Sequence, residues 1–125
     1  MSWWRRRGAG PASGERASQR EEIVRVREHL ESFVNSRRGV EAFIEPATTV
    51  TPPTVILVAA TGEWTRRRLP GPGMVRELSE RMHIPVYDVQ LVGYPQRMRD
   101  WNERAKRGEP QPVAEQPGLD HFEDN

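Results

Sequence analysis

Cysteine is absent from this 125-residue chain. No disulfide, thiolate nucleophile, Cys-ligated zinc or iron–sulfur cluster can therefore be built. Small secreted domains often depend on such staples, so the expected compartment is the cytoplasm. Lysine is nearly absent too: Lys106 is the only one among 19 basic residues. Arginine's planar fork suits phosphate and carboxylate in a way lysine does not, but a GC-rich coding bias produces the same excess. Long apolar runs are missing, and nothing approaches the roughly 18 residues of a membrane span. Trp3-Trp4 leads into Arg5-Arg6-Arg7 with no apolar stretch of roughly 7–15 residues behind it, unlike a signal peptide.

The chemistry of common active sites is also missing. A dinucleotide fingerprint needs Gly-x-Gly-x-x-Gly between strand and helix. The nearest approach is Gly71-Pro72-Gly73, where Pro72 removes an amide donor and Arg76 stands in the third glycine's place. A plain helix entry accounts for it, with a weak anion site beside Arg66–Arg68 as the alternative. His29, His83 and His121 are scattered without His-x-x-x-His spacing, and no serine sits in a nucleophile elbow. No cofactor, metal ligand set or catalytic residue is expected.

What is present is unevenly distributed. Residues 1–17 carry +3 and residues 108–125 carry −5, leaving +3 on the middle 90 residues with nearly all the apolar clusters. A domain of that size buries roughly 60–65% of its unfolded surface, enough to fold alone with little surplus. Residues 1–17 read as a disordered Trp/Arg-tipped arm, 18–107 as an α/β core domain, and 108–125 as a disordered acidic, Pro-rich tail.

Within the core, Ser18-Gln19-Arg20-Glu21 has the form of a capping box. Ile23, Val26, Leu30 and Phe33 follow at helical spacing, and Gly39 after Arg37-Arg38 supplies the end. Val40 to Glu45 alternates, with Val40, Ala42 and Ile44 on one face and Glu41, Phe43 and Glu45 on the other. Residues 54–60 are apolar on both faces, as a central strand should be. A two-residue Thr61-Gly62 turn leads into an arginine-rich strand, 63–69. Met74, Val75, Leu78 and Met82 line a second helix. A strand over Val86–Val92 and a third helix ending at Gly108 complete the order. The fold expected is a single small α/β (α+β) domain, α-β-β-β-α-β-α. Its mixed sheet combines an antiparallel meander with one parallel strand returned by a crossover, with helices packed on the sheet.

Arg37-Arg38-Gly39-Val40-Glu41-Ala42, Gly62-Glu63-Trp64-Thr65-Arg66-Arg67 and the run from Ile84 to Met98 resemble a family of short actinobacterial proteins often labelled "oxidoreductase" without an assigned reaction. The likeness spans about residues 20–107 and implies a nicotinamide or flavin site. The element order also resembles the core of restriction-endonuclease-like nucleases. Those need an acid opening the second strand and acid-x-Lys on the third to hold a divalent metal. Here the second strand opens Pro53-Thr54 and the third offers Glu63-Trp64-Thr65, so the implied relative is an inactive one.

Trp64, Arg66 and Arg68 share one face of the third strand because side chains two apart point the same way. With Arg67 they form the candidate binding residues. Stacking on Trp and phosphate pairing by Arg is a known mode for single-stranded nucleic acid; the plainer reading is an edge strand guarded by charge. Asp88, inside an apolar strand, reads as solvent-facing or paired with an arginine. Trp3, Trp4, Arg5, Arg6 and Arg7 could touch an anionic membrane surface transiently. Gln116, Leu119 and Phe122 resemble a sliding-clamp docking motif with its second aromatic replaced by Glu123. Three readings of function stay open: a non-enzymatic cytoplasmic binding module whose partner is a protein or nucleic acid, an RNA or single-stranded DNA binder, and a small oxidoreductase-like or degenerate nuclease-like enzyme.

Overall fold

The computed structural model describes residues 13–71 and 73–113. The Trp3–Arg7 tip, Pro72 and the Gln116–Phe122 motif lie outside the described residues. The elements run α1 (Ser13–Ser36), β1 (Glu41–Glu45), β2 (Thr54–Val58), β3 (Trp64–Arg68), α2 (Gly73–Glu80), β4 (Val86–Asp88), α3 (Val89–Val92) and α4 (Gln96–Arg107). The sheet order is β3-β2-β1-β4. β1–β2 and β2–β3 pair antiparallel, and β4 returns parallel to β1. This is the mixed sheet that the pattern of short loops and one helical crossover calls for.

The alternation in β1 divides the protein into two cores. Ala42, Val55 and Leu57 face one way and pack against Leu30 and Phe33 of α1 and Met74 and Leu78 of α2. Phe43, Ile56 and Val58 face the other way and pack against Met98 of α4. Arg27 ties α1 to α2 through a two-pronged contact with Glu77, at 2.6 and 2.8 Å. The hydrogen bond from Arg27, opposed by burial and reinforced by its charge, holds the Glu77 carboxyl below its ordinary value.

Four local expectations need correction. α1 starts no later than Ser13, within the stretch read as an arm, so Ser18–Glu21 is helix interior and caps nothing. Glu15, Arg16 and Ala17 are good helix formers, and extending an existing helix costs far less than nucleating one. Regular pairing of β2 ends at Val58 rather than residue 60. The hairpin loop has three residues, not two: the Ala59 amide donates to the Glu63 carbonyl and the Gly62 amide to the Ala59 carbonyl. Gly62 takes φ +97°, the glycine that three-residue hairpins use. Finally, β4 stops at Asp88 instead of reaching Val92. The Asp88 carboxylate accepts from the Gln90 amide and caps α3, the role short acidic side chains favour at a helix start.

Besides the packing of Met98, two hydrogen bonds from Arg97 fix α4 against the sheet. Arg97 Nε donates to the Ala59 carbonyl at 2.9 Å, and its Nη2 donates to Glu41 Oε1 at 2.7 Å. The hairpin glycine lets the helix approach: a Cβ on Gly62 would sit 2.1 Å from the Arg97 carbonyl oxygen. Gly108, at φ +69°, ends α4 in the left-handed cap that glycine tolerates.

Candidate binding surface along the third strand

The register places β3 at one edge of the sheet, with β2 as its only strand neighbour. In an antiparallel pair, residues alternate between pointing their backbone groups at the partner and away from it. The Ala59 amide bonds the Glu63 carbonyl and the Leu69 amide bonds the Pro53 carbonyl. Counting inward from both ends, Thr65 and Arg67 face β2. Trp64, Arg66 and Arg68 therefore direct their N–H and C=O groups out of the sheet, and no described strand takes them up.

The side chains separate as β alternation requires, but their partners differ from residue to residue. Trp64 is half-buried against the Phe43–Ile56–Val58–Met98 cluster, and its indole N–H donates to Asn102 Oδ1 at 2.8 Å. The Arg66 guanidinium lies over the Trp64 ring, 5.5 Å from the centroid. It also donates twice to Glu45, at 3.1 and 3.0 Å. Thr54 and Tyr94 each donate a hydroxyl hydrogen bond to the same carboxylate. Burial works against the Glu45 charge and is the strongest single influence. The hydrogen bonds from Thr54, Tyr94 and Arg66, with the Arg66 charge, together outweigh it and hold the carboxyl below its ordinary value. Its hydrogen bond to Glu45 keeps the Tyr94 phenol protonated to higher pH than usual.

Arg67 lies on the opposite face, beside α1. Its Nη2 meets His29 Nδ1 at 3.2 Å, and His29 Nε2 meets Thr65 Oγ1 at 2.8 Å. A guanidinium can only donate, so Nδ1 is the acceptor, Nε2 carries the proton and Thr65 accepts. Burial, followed by the Arg67 and Arg37 charges, pushes His29 below its ordinary value, which keeps the ring neutral. Arg68 is exposed and has neither an ion pair nor a side-chain hydrogen bond among the described residues. The four residues singled out in the sequence thus occupy one strand in unequal states: Trp64 packed, Arg66 engaged by Glu45, Arg67 lightly held, and Arg68 uncommitted.

Glu45, Thr54, Tyr94, Asn102 and His29 escaped the sequence reading. The alternation of β1 places Glu45 on the Phe43 face, but only the β1–β2–β3 register brings it level with Arg66. Tyr94 and Asn102 arrive through the fold of α3 and α4. The strand positions set against a nuclease core are Thr54, Glu63 and Thr65. Thr54 faces Glu45, whereas Glu63 pairs with Arg37 at 2.7 Å and Thr65 bonds His29. The three positions do not share a face of the sheet, and no group of three or more His, Asp or Glu side chains among the described residues is placed to hold a metal.

A hollow of about 500 Å³ opens at the hairpin end, between Arg37, Arg38, Gly39 and Pro112. Its Arg37 wall is occupied by Glu63, and Arg37 also lies over the Phe33 ring at 4.5 Å. No described helix is long and apolar enough to cross a membrane. Comparison with protein-family models, with curated proteins and with solved structures returns no match.

Proposed function

We propose that the chain is a non-enzymatic cytoplasmic binding module that presents the outer edge of β3 to a macromolecular partner. The observation that carries this is the open row of backbone groups at Trp64, Arg66 and Arg68, flanked by three arginine side chains. An unpaired edge is a template for another chain, and strand addition is a recurrent mode of peptide recognition. The ion pairs of the described residues support the same reading. Arg27–Glu77, Arg66–Glu45 and Arg97–Glu41 each join two elements of the fold and Arg37–Glu63 joins the end of α1 to the hairpin, so these carboxylates are engaged in architecture. The absence of cysteine accords with a reducing compartment.

The nucleic-acid reading loses its best feature. A base stacking on the Trp64 face beneath Arg66 would have to displace a guanidinium that two bonds to Glu45 hold in place. Phosphate pairing would then fall to Arg67 and Arg68, which lie on opposite faces.

Amide hydrogen exchange on the full chain tests the proposal, with strand-forming peptides, a single-stranded oligonucleotide, and nicotinamide and flavin cofactors as probes. The expected result is slowed exchange at Trp64, Arg66 and Arg68 with a peptide, and an unchanged pattern with either cofactor. Stoichiometric cofactor binding at micromolar concentration would replace the module by an enzyme.

A further inference from the structure

We infer that the β3 edge takes an extended acidic peptide segment carrying two consecutive carboxylate residues, added as a fifth strand. The inference rests on the binding-module reading and specifies its partner.

The first argument is the difference between the sheet's two edges. β4 is three residues long and turns at once into α3, so it offers little backbone for pairing. β3 is five residues long with regular pairing to β2 throughout. Its outward row supplies three N–H and three C=O groups, enough to fix the register of an added strand.

The second argument is charge. Successive side chains of an added strand point to opposite faces. One would come level with Arg68 and the next with Arg67. Arg66 already has Glu45, so the unsatisfied demand is for one carboxylate on each face, on adjacent residues. Arg25 is exposed and lies one helical turn before His29 on α1, on the side of the helix that meets β3; it reinforces the positive field beside Arg67. A carboxylate meeting arginine can be bidentate and charge-assisted.

The third argument disposes of a second copy as the occupant. Two-fold pairing of β3 with itself about Arg66 would set Arg66 opposite Arg66 and gather the three arginines of each copy along one seam, and like charges brought together across a strand pair destabilise a sheet.

The test uses the full chain and a capped eight-residue peptide of β-branched residues with Glu-Asp at its centre. Three controls accompany it: the same peptide with Lys-Lys at the centre, the acidic peptide with alternate amides N-methylated, and a single-stranded oligonucleotide of equal charge. The acidic peptide should bind and slow exchange at Trp64, Arg66 and Arg68. Its affinity should fall as salt rises, and by about tenfold or more in the R67E/R68E double variant. N-methylation should weaken it comparably, because the backbone contacts are removed while the charge is kept. Equal binding of the N-methylated peptide, or tighter binding of the oligonucleotide, would overturn strand addition. Slow exchange at these three amides in the dilute chain without peptide would mean the edge is already covered, and overturns it as well. If the Lys-Lys peptide protects the edge and the acidic one does not, the acidic partner is wrong and the module stands. If no probe protects it, both fall. Coincident thermal melts of wild type and R67E/R68E confirm that the variant reads binding and not folding.

Discussion

The two faces of the sheet are built from the same four strands and end up in different states. The face under α1 and α2 is closed at its centre: Val55 and Leu57 are fully buried there, and His29 hydrogen-bonds Thr65 and the exposed Arg67 at its β3 margin. The face under α4 is closed at one end only. Val58 and Ile56 are as deeply buried as their neighbours, but one step along the strands the surface turns polar, through Glu45, Thr54, Arg66 and Tyr94. Two helices of eight residues or more cover one face, whereas the twelve-residue α4 and the four-residue α3 cover the other, so the second face must satisfy its uncovered end with hydrogen bonds and charge. The lesson is that a polar cluster on a sheet can mark where the helical cover stops. It is not by itself an active site.

The largest way to break this difference is to lift α4 off. Gly62→Ala places a methyl group 2.1 Å from the Arg97 carbonyl oxygen at a φ that side chains avoid. Backbone strain of this kind belongs among the large mutational effects, so a loss of about 4 kcal/mol is expected in denaturant unfolding. A loss below about 1 kcal/mol would show that the helix does not press on the hairpin as described.

Truncating matched residues on the two faces should rank them. Leu57→Ala on the closed face should destabilise by about 3–4 kcal/mol. Trp64→Ala on the half-open face should cost about 2 kcal/mol, less than a fully buried tryptophan, since part of its ring already meets solvent. Equal losses in chemical denaturation would contradict the difference in cover.

The polar end should be legible in acid. The Glu45 carboxyl is held below its unfolded value of 4.5, so ionisation favours the folded state. Its contribution is complete above the unfolded value and is lost as pH falls through the lower folded value. Glu45→Gln should destabilise by about 1 kcal/mol at neutral pH and converge on wild type as the solution is acidified below 4.5. His29, depressed below 6.5, adds acid destabilisation at higher pH, because folding keeps it neutral while the unfolded chain protonates it. Melting curves from pH 3 to 8 on E45Q and H29Q separate the two. A gap between wild type and E45Q that widens in acid would reverse the sign assigned to Glu45.

The smallest effect concerns Arg68, whose side chain has no ion pair or hydrogen bond among the described residues. Arg68→Gln should change stability by less than about 0.5 kcal/mol, as exposed charges do. A larger loss in thermal denaturation would mean that Arg68 belongs to the fold and not to the edge.

Most elements can be read from local pattern. Leu30 and Phe33 one turn apart announce α1, the alternation of Val40–Glu45 assigns both faces of β1, and the apolar run at Val55–Val58 reports a strand covered on both sides. Boundaries were less legible because capping competes with propensity. The aspartate that ends β4 looks like an ordinary strand residue until its carboxylate is seen to accept the Gln90 amide. Of the candidate surface, the shared face of Trp64, Arg66 and Arg68 follows from a two-residue period alone. Their unequal commitments do not.

What the amino-acid order determined by itself is therefore periodicity: which residues turn inward, which side of each strand is apolar, and that three arginines stand in a row. Tertiary structure decided register. Glu45 and Arg66 lie 21 positions apart and meet only when two hairpins bring β1, β2 and β3 level, and the same pairing leaves β3 rather than β2 on the outside. Local sequence sets the preferences of a few dihedrals at a time, whereas strand neighbours are chosen by the burial of every apolar face at once. That is why the arginines could be found in the chain, but only the folded sheet showed which of them hold it together and which remain available.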